Sequence, residues 1–303
     1  MYAITGATGN TGRIIAETLL SKGKKVRAIG RSRERLLSLI DQGAEAFVGS
    51  VIDGSAMLNA FRGAQAVYLM IPPNYSAENS RAYQNEVGTV YASAIRQAGI
   101  PYVVNLSSVG AQLAQGAGPI SGLHDVEQQL NRLDGVNIVH LRAGFFMQNL
   151  IFSLDLIRNQ NMNGSALRGD LLIPMIATQD IAQVAARLLL SLDFSGHSVR
   201  ELLGQRDLSM QEATRIIGKA IGKEDLAYVQ FPYEQAEQAM VGMGFSRDVA
   251  HSVTEMDRAM NEGRVAPLEK RNPANTTPTS FEQFAQSLAA LYRGQEGAKA
   301  RGV

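Results

Sequence analysis

The first twelve residues constrain the fold of this chain more than any later stretch. Tyr2 to Ile4 is a short apolar run, and glycines follow at positions 6, 9 and 12, before apolar and polar residues alternate with helical period. Glycine is needed where a strand turns sharply into a helix whose free N–H groups face a phosphate, because a Cβ would keep the backbone away. An ordinary tight turn would use the same glycines, but a second strand, Lys25 to Ile29, follows at the distance that a nucleotide-binding unit requires. The residues expected to hold the phosphates are Gly6, Thr8, Gly9, Asn10, Thr11 and Gly12.

The residues that end the second strand indicate which dinucleotide is bound. Chains that prefer NAD carry Asp or Glu there to bind the ribose 2′-hydroxyl, whereas chains that take NADP carry Arg to pair with the 2′-phosphate. Here the strand runs into Gly30-Arg31-Ser32-Arg33, with no acid before Glu34. We therefore predict NADP(H), with Arg31 as the main phosphate partner and Ser32 beside it, and keep NAD(H) as the other possibility. Arginines that are merely solvated at a helix start are the alternative, although cations are disfavoured there without an anion.

Strands and helices alternate along the first half of the chain. The run Ala66 to Ile71 is continuously apolar, as expected of a parallel strand that is buried on both faces. The alternation predicts an α/β fold, a doubly wound parallel sheet with helices on both faces. In that fold the adenine would lie near Ser50, after the third strand, and the ribose would lie beside Ile71 and Pro72, where the fourth strand ends.

Two later strands end in residues that suit the reacting side of a cofactor. The fifth strand, Tyr102 to Leu106, runs into Ser107, which is expected near the nicotinamide; a serine that only caps a turn is the alternative. The sixth strand, Val136 to Leu141, leads to an aromatic pair that would contact substrate, with core packing as the alternative. The substrate-binding residues expected here are Phe145, Phe146 and Asn149.

Composition narrows the classes of partner. Lys and Arg number 29 against 28 Asp and Glu, so the net charge of +1 gives no reason to expect nucleic acid or an anionic membrane. The absence of cysteine excludes thiol catalysis, disulfides and thiolate metal sites, and no two of the four histidines have metal-ligand spacing. Since no long apolar run and no leader-like start occurs, we expect a cytoplasmic protein that spans no membrane.

The last third of the chain alternates short strands with amphipathic helices. Helices are predicted over 179–192, 209–221, 234–243, 247–261 and 280–292, and strands over 199–203 and 228–231. A polar tail that frays is expected from Gly294 on. The 303 residues suffice for about two domains. We expect a nucleotide-binding domain over 1–150, a smaller and mostly helical substrate-binding region over 151–303, and residues 178–200 packing back on the first domain.

Taken together, these motifs resemble the NmrA-like atypical short-chain dehydrogenases/reductases over nearly the whole chain. The motifs are Thr5-Gly-Ala-Thr-Gly-Asn-Thr-Gly12, Arg31, Leu123-His-Asp-Val-Glu-Gln-Gln-Leu130, Leu141-Arg-Ala-Gly-Phe-Phe-Met-Gln-Asn149, Thr178-Gln-Asp-Ile-Ala182 and Pro273-Ala-Asn-Thr-Thr-Pro-Thr-Ser-Phe281. Within the family the chain is most similar to the bacterial NADPH-dependent quinone and triphenylmethane-dye reductases. The resemblance implies a Rossmann domain, a smaller helical C-terminal region, and substrate bound in the cleft between them.

The catalytic residues of ordinary short-chain dehydrogenases have no counterpart in this sequence. Those enzymes pair a Tyr with a Lys four residues later, which lowers the pKa of the phenol for proton transfer, but none of the nine tyrosines here has Lys at that spacing. The family helix carries Pro119 and Leu123 at the two positions. A quinone or cationic dye is already electrophilic, so a reductase of such compounds needs orientation more than an acid.

Two functions from different classes fit the sequence. The first is an NADPH-dependent reductase of a flat, conjugated small molecule, with His124 as a candidate proton donor; a histidine that only binds the backbone is the alternative. The second, also implied by the family, is a non-catalytic NADP(H) sensor that changes partner with the redox state of the cofactor. The sequence leaves a homodimer open.

Overall fold

The computed structural model describes the backbone of residues 1–300 and the side chains of residues 1–294. The strands are β1 (Tyr2–Ile4), β2 (Val26–Gly30), β3 (Glu45–Val48), β4 (Ala66–Leu69), β5 (Tyr102–Ser108), β6 (Asn137–Ala143), β7 (Phe145–Phe146), β8 (Met162–Ser165), β9 (Ile173–Ile176), β10 (His197–Leu202), β11 (Asp207–Leu208) and β12 (Ala227–Gln230). The α-helices are α1 (Gly12–Ser21), α2 (Leu37–Asp41), α3 (Gly54–Phe61), α4 (Ser80–Ala98), α5 (Pro119–Leu130), α6 (Leu154–Gln160), α7 (Thr178–Ser191), α8 (Met210–Ile221), α9 (Tyr233–Gly242), α10 (Arg247–Asn261) and α11 (Phe281–Ala300). Short 3₁₀ helices occupy Glu34–Leu36 and Met147–Ser153.

A seven-stranded parallel sheet forms the centre of the molecule, in the order β10-β6-β5-β4-β1-β2-β3. The chain moves outward from β1 to β3, then returns to the other side of β1 with β4 and continues outward. Chain order therefore reverses between β1 and β4. This arrangement confirms the doubly wound Rossmann-type sheet that the sequence predicts.

Helices cover both faces of this sheet because its strands are apolar on both sides. The packed layers are α1, α2 and α7 on one face, and α3, α4 and α5 on the other. Neighbouring residues of one strand therefore enter different layers: Val104 of β5 packs with Ile15 and Ile181, whereas Val103 packs with Tyr91 and Val126. The two helical layers hold the strands in place, and with them the loops that follow the strands at the carboxyl edge of the sheet.

The rest of the chain forms smaller sheets and a second core. A three-stranded sheet has the order β11-β9-β7, and β8 pairs in parallel with β12. Helices α8 and α11 pack on these elements around buried residues such as Ile217, Phe281 and Leu288. Helix α7 and strand β10, by contrast, belong to the central sheet, because α7 packs on α1 and β10 pairs with β6.

Several predicted boundaries shift in the structure. Strand β5 continues two residues beyond Leu106, to Ser108, and β4 ends at Leu69, two residues before Ile71. The expectation of a frayed tail from Gly294 is wrong for residues 294–300, where α11 continues, and for residues 301–303 it lies outside the described residues.

Candidate functional site

At the carboxyl edge of the central sheet, β1 and β4 lie side by side at the point where the chain order reverses. Ligands of open parallel α/β sheets bind at such a point, where the chain order reverses. We call this region the switch crevice. It is bounded by the segments that leave five strands: residues 6–12, 30–33, 70–73, 107–111 and 144–149.

The glycine turn after β1 is a close-packed backbone cradle. Gly6 has φ +60°, and Gly9 N donates a hydrogen bond to Gly6 O at 2.8 Å. A Cβ at Gly12 would collide with the Gly6 carbonyl, and a Cβ at Gly6 would lie 2.7 Å from the sulfur of Met70. Gly9 is exposed and a Cβ there would meet only Gly6 O, at 3.3 Å. Gly6 and Gly12 are thus required by the turn itself, while Gly9 leaves the outer side open for close approach by a ligand.

The start of α1 offers backbone N–H groups to the switch crevice. Its N-cap, Thr11, makes no side-chain capping bond, and the first turn carries no acidic residue. The Thr11 hydroxyl is instead buried, where it accepts a hydrogen bond from Tyr68 Oη at 2.9 Å. Thr8 is half-buried with its methyl beside Gly30, and Asn10 is exposed. The expected side-chain contact from Thr11 does not fit this placement, so its contribution is limited to the backbone.

Two arginines at β2 differ in their partners. Arg27, inside the strand, is paired with Glu45 at 2.9 Å and donates to the carbonyl of Ala60. Arg31, just past the strand, is exposed and has no ion-pair partner among the side chains of residues 1–294. Arg31 is therefore a cation at the crevice rim that is free to bind an anion.

Ser32 and Ser50 lie on the same side of the switch crevice as Arg31. Ser32 is half-buried, and its hydroxyl accepts the Arg35 N–H at 3.4 Å, a local turn contact that leaves its own proton available to a ligand. Ser50 is half-buried after β3. Both positions are compatible with the contacts predicted for them.

Hydrogen bonds from the interior fasten the segment that leaves β4. Thr5 Oγ1 donates to Tyr68 O and accepts from Met70 N, both at 3.0 Å, while Tyr91 Oη donates to Met70 O at 3.0 Å. Strand β4 ends at Leu69, two residues earlier than predicted. The chain after it has no regular secondary structure as far as Asn74, and these three bonds hold its start in place.

Ile71 and Pro72 follow on this segment, both half-buried beside the glycine turn's strand. Tyr83 Oη donates to Pro72 O at 3.0 Å. Burial raises the pKa of Tyr83, and the positive charge of Arg31 acts against that rise. Arg31 thus acts electrostatically on the side chain that holds the Pro72 segment.

Ser107 is placed differently from its predicted role. It is 3% exposed, inside β5, and its hydroxyl donates to Glu127 of α5 at 2.6 Å. The Glu127 carboxylate also accepts hydrogen bonds from Arg142 Nη2 at 2.6 Å and from Arg142 Nε at 3.0 Å. The hydroxyl faces α5 rather than the crevice, so a direct catalytic or cofactor contact by this side chain does not fit the structure. Ser108, which ends the strand, is half-buried, and its hydroxyl donates to Val109 O at 2.9 Å.

A buried histidine extends this polar layer between β5, β6 and α5. His140 Nδ1 lies 3.0 Å from Asn105 Nδ2, and its Nε2 lies 3.0 Å from Asn131 Oδ1. Asn105 Nδ2 is a donor and Asn131 Oδ1 an acceptor, so Nδ1 accepts and Nε2 carries the proton. Burial lowers the pKa of His140 to about 4, which keeps the ring neutral near pH 7.

His124 lies under the loop that follows β5. Its Nδ1 is 2.9 Å from the carbonyl oxygen of Ala111, and because a carbonyl only accepts, Nδ1 carries the proton of that bond. This contact matches the alternative in which the histidine binds the backbone. Proton donation to a substrate would have to come from Nε2 of a doubly protonated ring.

The aromatic pair after β6 joins the two cores of the molecule. Phe145 packs on the C-terminal core and Phe146 on the core of the central sheet, and both remain half-buried. A Cβ at Gly144 would lie 2.5 Å from Pro174 O, so β7 passes very close to β9. Asn149 is exposed. The pair thus packs in a core, as the alternative requires, and also lies where the two regions meet.

Side chains with no assigned role in catalysis or binding connect α7 to its neighbouring segments through hydrogen bonds. Asp180 of α7 accepts Thr279 Oγ1 at 2.6 Å and Thr279 N at 3.0 Å, and Gln148 Oε1 accepts the N–H of Thr178 at 3.0 Å. Sequence reasoning did not foresee these contacts, nor the Glu127–Arg142 pair. An acid or base inside an apolar segment, as at Arg142 in β6, is the signal that could have revealed them.

Two cavities lie outside the glycine turn. One of about 680 Å³ lies between α7, β10 and residues 269–278, and one of about 560 Å³ lies between Gln148, α7 and α11. Neither is lined by residues 6–12. Their linings contain no glycine turn that leads into a helix.

Within the described residues, neither a metal-binding cluster nor a membrane-spanning helix is found. No group of three or more His, Asp or Glu side chains there is arranged to hold a metal ion. None of the helices in that part of the chain is long and apolar enough to cross a membrane.

Comparison with known proteins gives consistent matches. A family model described as the NmrA-like family matches residues 2–285. An NAD(P)H azoreductase of Xenophilus azovorans is 25% identical over 300 residues, which is 96% of this chain and 99% of that protein.

Solved structures match over the same length. The NADPH-dependent quinone oxidoreductase QOR2 of Escherichia coli, complexed with NADPH, has a TM-score of 0.78 at 22% identity and covers 96% of this chain and 100% of its own. The Citrobacter triphenylmethane reductase complexed with NADP(H) has a TM-score of 0.78 at 19% identity and covers 95% and 100%. These structures share the fold of this chain.

Proposed function

The chain belongs to the NmrA-like family, and on that premise we propose that it is an NADPH-dependent reductase that transfers hydride to a quinone or a similar conjugated electrophile. The observation that carries this proposal is the combination of the glycine turn with a nearby cation, Arg31, that has no ion-pair partner among the side chains of residues 1–294. Gly6 and Gly12 allow the close-packed turn, Gly9 leaves its outer side open, and Arg31 lies just past the end of β2. The names of similar proteins, an azoreductase, a quinone oxidoreductase and a dye reductase, support the reductase class.

The cofactor contacts follow from the crevice. The backbone N–H groups at the start of α1 would hold the pyrophosphate, with Thr8 and Asn10 beside it. Arg31 would bind the 2′-phosphate, and Ser32 would add a hydroxyl contact. Ser50 would border the adenine, while Ile71 and Pro72 would border the ribose.

The chain's own residues would mainly orient and shield the reactants. NADPH supplies a hydride, so a quinone that accepts it and one proton becomes a hydroquinone. An acceptor that is already electrophilic requires no residue to polarise it before hydride arrives, and the proton can come from water. This fits a crevice in which the Ser107 hydroxyl is occupied by Glu127 and His124 Nδ1 by a carbonyl.

The substrate would lie between the cofactor and the C-terminal region. Phe145, Phe146 and Asn149 are the residues we assign to its wall, because they leave β6 at the carboxyl edge of the sheet. His124 is retained as a source of the proton through Nε2. A substrate region formed by residues 151–303 and a nucleotide domain formed by residues 1–150 remain our division of the chain, with α7 and β10 added to the latter.

Absorbance of the reduced nicotinamide tests the proposal. Purified protein should consume NADPH only when a quinone or triphenylmethane dye is present. Arg31→Glu should raise the KM for NADPH about 10- to 100-fold, because it removes a charge-assisted contact to the 2′-phosphate and adds repulsion, and should change the KM for NADH little. Arg132→Glu, an equal change of charge at an exposed site at the end of α5, is the matched control.

Each other outcome has a defined meaning. If NADPH binds tightly but no acceptor is reduced, the reductase proposal is wrong and a redox sensor becomes the better explanation. If Arg31→Glu and Arg132→Glu behave alike, the assignment of the 2′-phosphate to Arg31 is wrong while the reductase proposal stands.

A further inference from the structure

Three aromatic side chains from distant parts of the sequence meet beside the switch crevice. Tyr75 follows β4, Phe152 lies in the last turn of the 3₁₀ helix after β7, and Phe245 lies between α9 and α10. The rings of Tyr75 and Phe245 are stacked, with centroids 4.6 Å apart and an interplanar angle of 21°. Phe152 meets Tyr75 edge to face, at 6.3 Å and 82°. We call these three residues the aromatic cluster.

The side chains of the aromatic cluster are unusually exposed to solvent for aromatic residues. Phe152 is 64% exposed and Tyr75 is 41% exposed, although each could bury far more area in a core. Met243, two residues before Phe245, is 63% exposed on the same turn. Single exposed apolar residues are common, but several that meet in one patch indicate a surface that binds something.

Its position links the patch to the proposed reaction. Tyr75 lies on the segment that leaves β4 through Pro72, and Phe152 lies on the segment that leaves β7 through Asn149. Both segments start at the carboxyl edge of the sheet, where the reactants would bind. The cluster therefore extends the substrate wall outward, away from the glycine turn.

Hydrogen bonds hold the cluster in place across the two regions. Ser246 N donates to Tyr75 O at 2.8 Å, and Ser246 Oγ donates to Ala77 O at 2.6 Å. Ser80 N donates to Asp248 Oδ2 at 2.6 Å. Because these bonds fix the loop after β4 against the start of α10, the rings are held in position before a ligand arrives, which lowers the entropy lost on binding.

We propose that the aromatic cluster is the stacking surface for the acceptor and selects molecules with fused or multiple aromatic rings. This inference rests on the proposed function and narrows its substrate class. Phe152 and Tyr75 are both exposed and can contact a flat π-system in offset-stacked or edge-to-face geometries. A two-ring acceptor offers more π-surface to these side chains than a one-ring acceptor does, so it should gain more from the contact.

A binding measurement with NADP⁺-saturated protein tests the inference without requiring turnover. Isothermal titration with 2-methyl-1,4-naphthoquinone and with 1,4-benzoquinone compares two rings with one. Phe152→Leu keeps an apolar side chain and removes the ring from an exposed position, so folding should be unaffected. It should weaken binding of the naphthoquinone about 2- to 10-fold and leave the benzoquinone nearly unchanged.

Phe194→Leu is the matched control. Phe194 forms an edge-to-face pair with Tyr102 at 5.4 Å and 83°, but Tyr102 begins β5, so this pair lies at the amino edge of the sheet. The inference is overturned if both variants have the same effect, if Phe152→Leu weakens both quinones equally, or if the wild type binds no naphthoquinone. If the ring-dependent loss is found but NADPH is not consumed, the stacking site stands and the reductase proposal fails.

Discussion

Two buried carboxyl groups of this protein are stabilised in opposite ways. Glu127, 1% exposed beneath the central sheet, is paired with Arg142, and Arg142 and Ser107 together donate three hydrogen bonds to it. Asp257, 7% exposed on α10, is subject to burial alone, which raises its pKa to about 7 with no described side chain acting against the rise. A carboxyl group out of water is tolerated either with its charge paired or with its proton retained.

The same two sites should also differ in how they change the free energy of unfolding with pH. The pKa of His140, in the polar layer that contains Glu127, is lowered to about 4 by burial, so its contribution to stability is present above the unfolded pKa of 6.5 and lost as pH falls through 4. The pKa of Asp257 is raised to about 7, so its contribution is present below 3.8 and lost as pH rises through 7. Between about pH 4 and 6.5 the two groups change the free energy of unfolding in opposite directions.

The largest effect is expected where one partner of the paired group is removed. Glu127→Ala leaves Arg142 buried and unpaired, and we expect it to lower the free energy of unfolding by about 3–5 kcal/mol, measured by urea denaturation at pH 7. Glu17→Ala, which removes the more exposed Arg13 pair on α1, should change it by less than about 0.5 kcal/mol. Similar losses in both variants would show that the buried Glu127–Arg142 pair contributes no more to stability than the exposed pair.

The second effect concerns the unpaired group. Asp257→Asn removes the titrating carboxyl, and a shift of about three pKa units corresponds to at most about 4 kcal/mol. Since buried sites relax around a charge, we expect the variant to gain about 2 kcal/mol over wild type between pH 4 and 8. The measurement is the difference in free energy of unfolding between variant and wild type across that range. A difference independent of pH would contradict the raised pKa.

Sequence reasoning succeeded where the structure depends on local pattern. The strand, glycine turn and helix of residues 2–20 are set by neighbours within a few positions. The alternation of such units was enough to predict the parallel sheet, because few topologies join them. These features were therefore readable before any contact was known.

It failed where one residue of register decides which way a side chain points. With β5 predicted to end at Leu106, Ser107 falls in a loop at the ligand edge, but β5 continues to Ser108 and Ser107 shares the α5 face with Val103 and Asn105. The burial of Asp257 was likewise hidden, since α10 carries acidic and basic residues along its whole length. Contacts such as Asp180 with Thr279 join residues about a hundred positions apart, which no local pattern specifies.

The smallest expected effect, that of a substitution at His140, gives the most direct comparison of the His140 and Asp257 sites. His140→Gln replaces a ring that the structure keeps neutral, and a shift of about 2.5 pKa units sets an upper bound of about 3 kcal/mol, of which we expect about 1.5 after relaxation. Any packing that the substitution loses is lost equally at every pH. The free energy of unfolding of the variant, relative to wild type, should therefore rise as pH falls from 6.5 to 4. The Asp257→Asn difference should instead grow as pH rises over this interval. Groups shared by variant and wild type cancel in each difference, so the two slopes report the two sites alone. In the double variant the two slopes of this difference against pH should cancel. If the two single variants gave slopes of the same sign, burial would not act oppositely on His140 and Asp257.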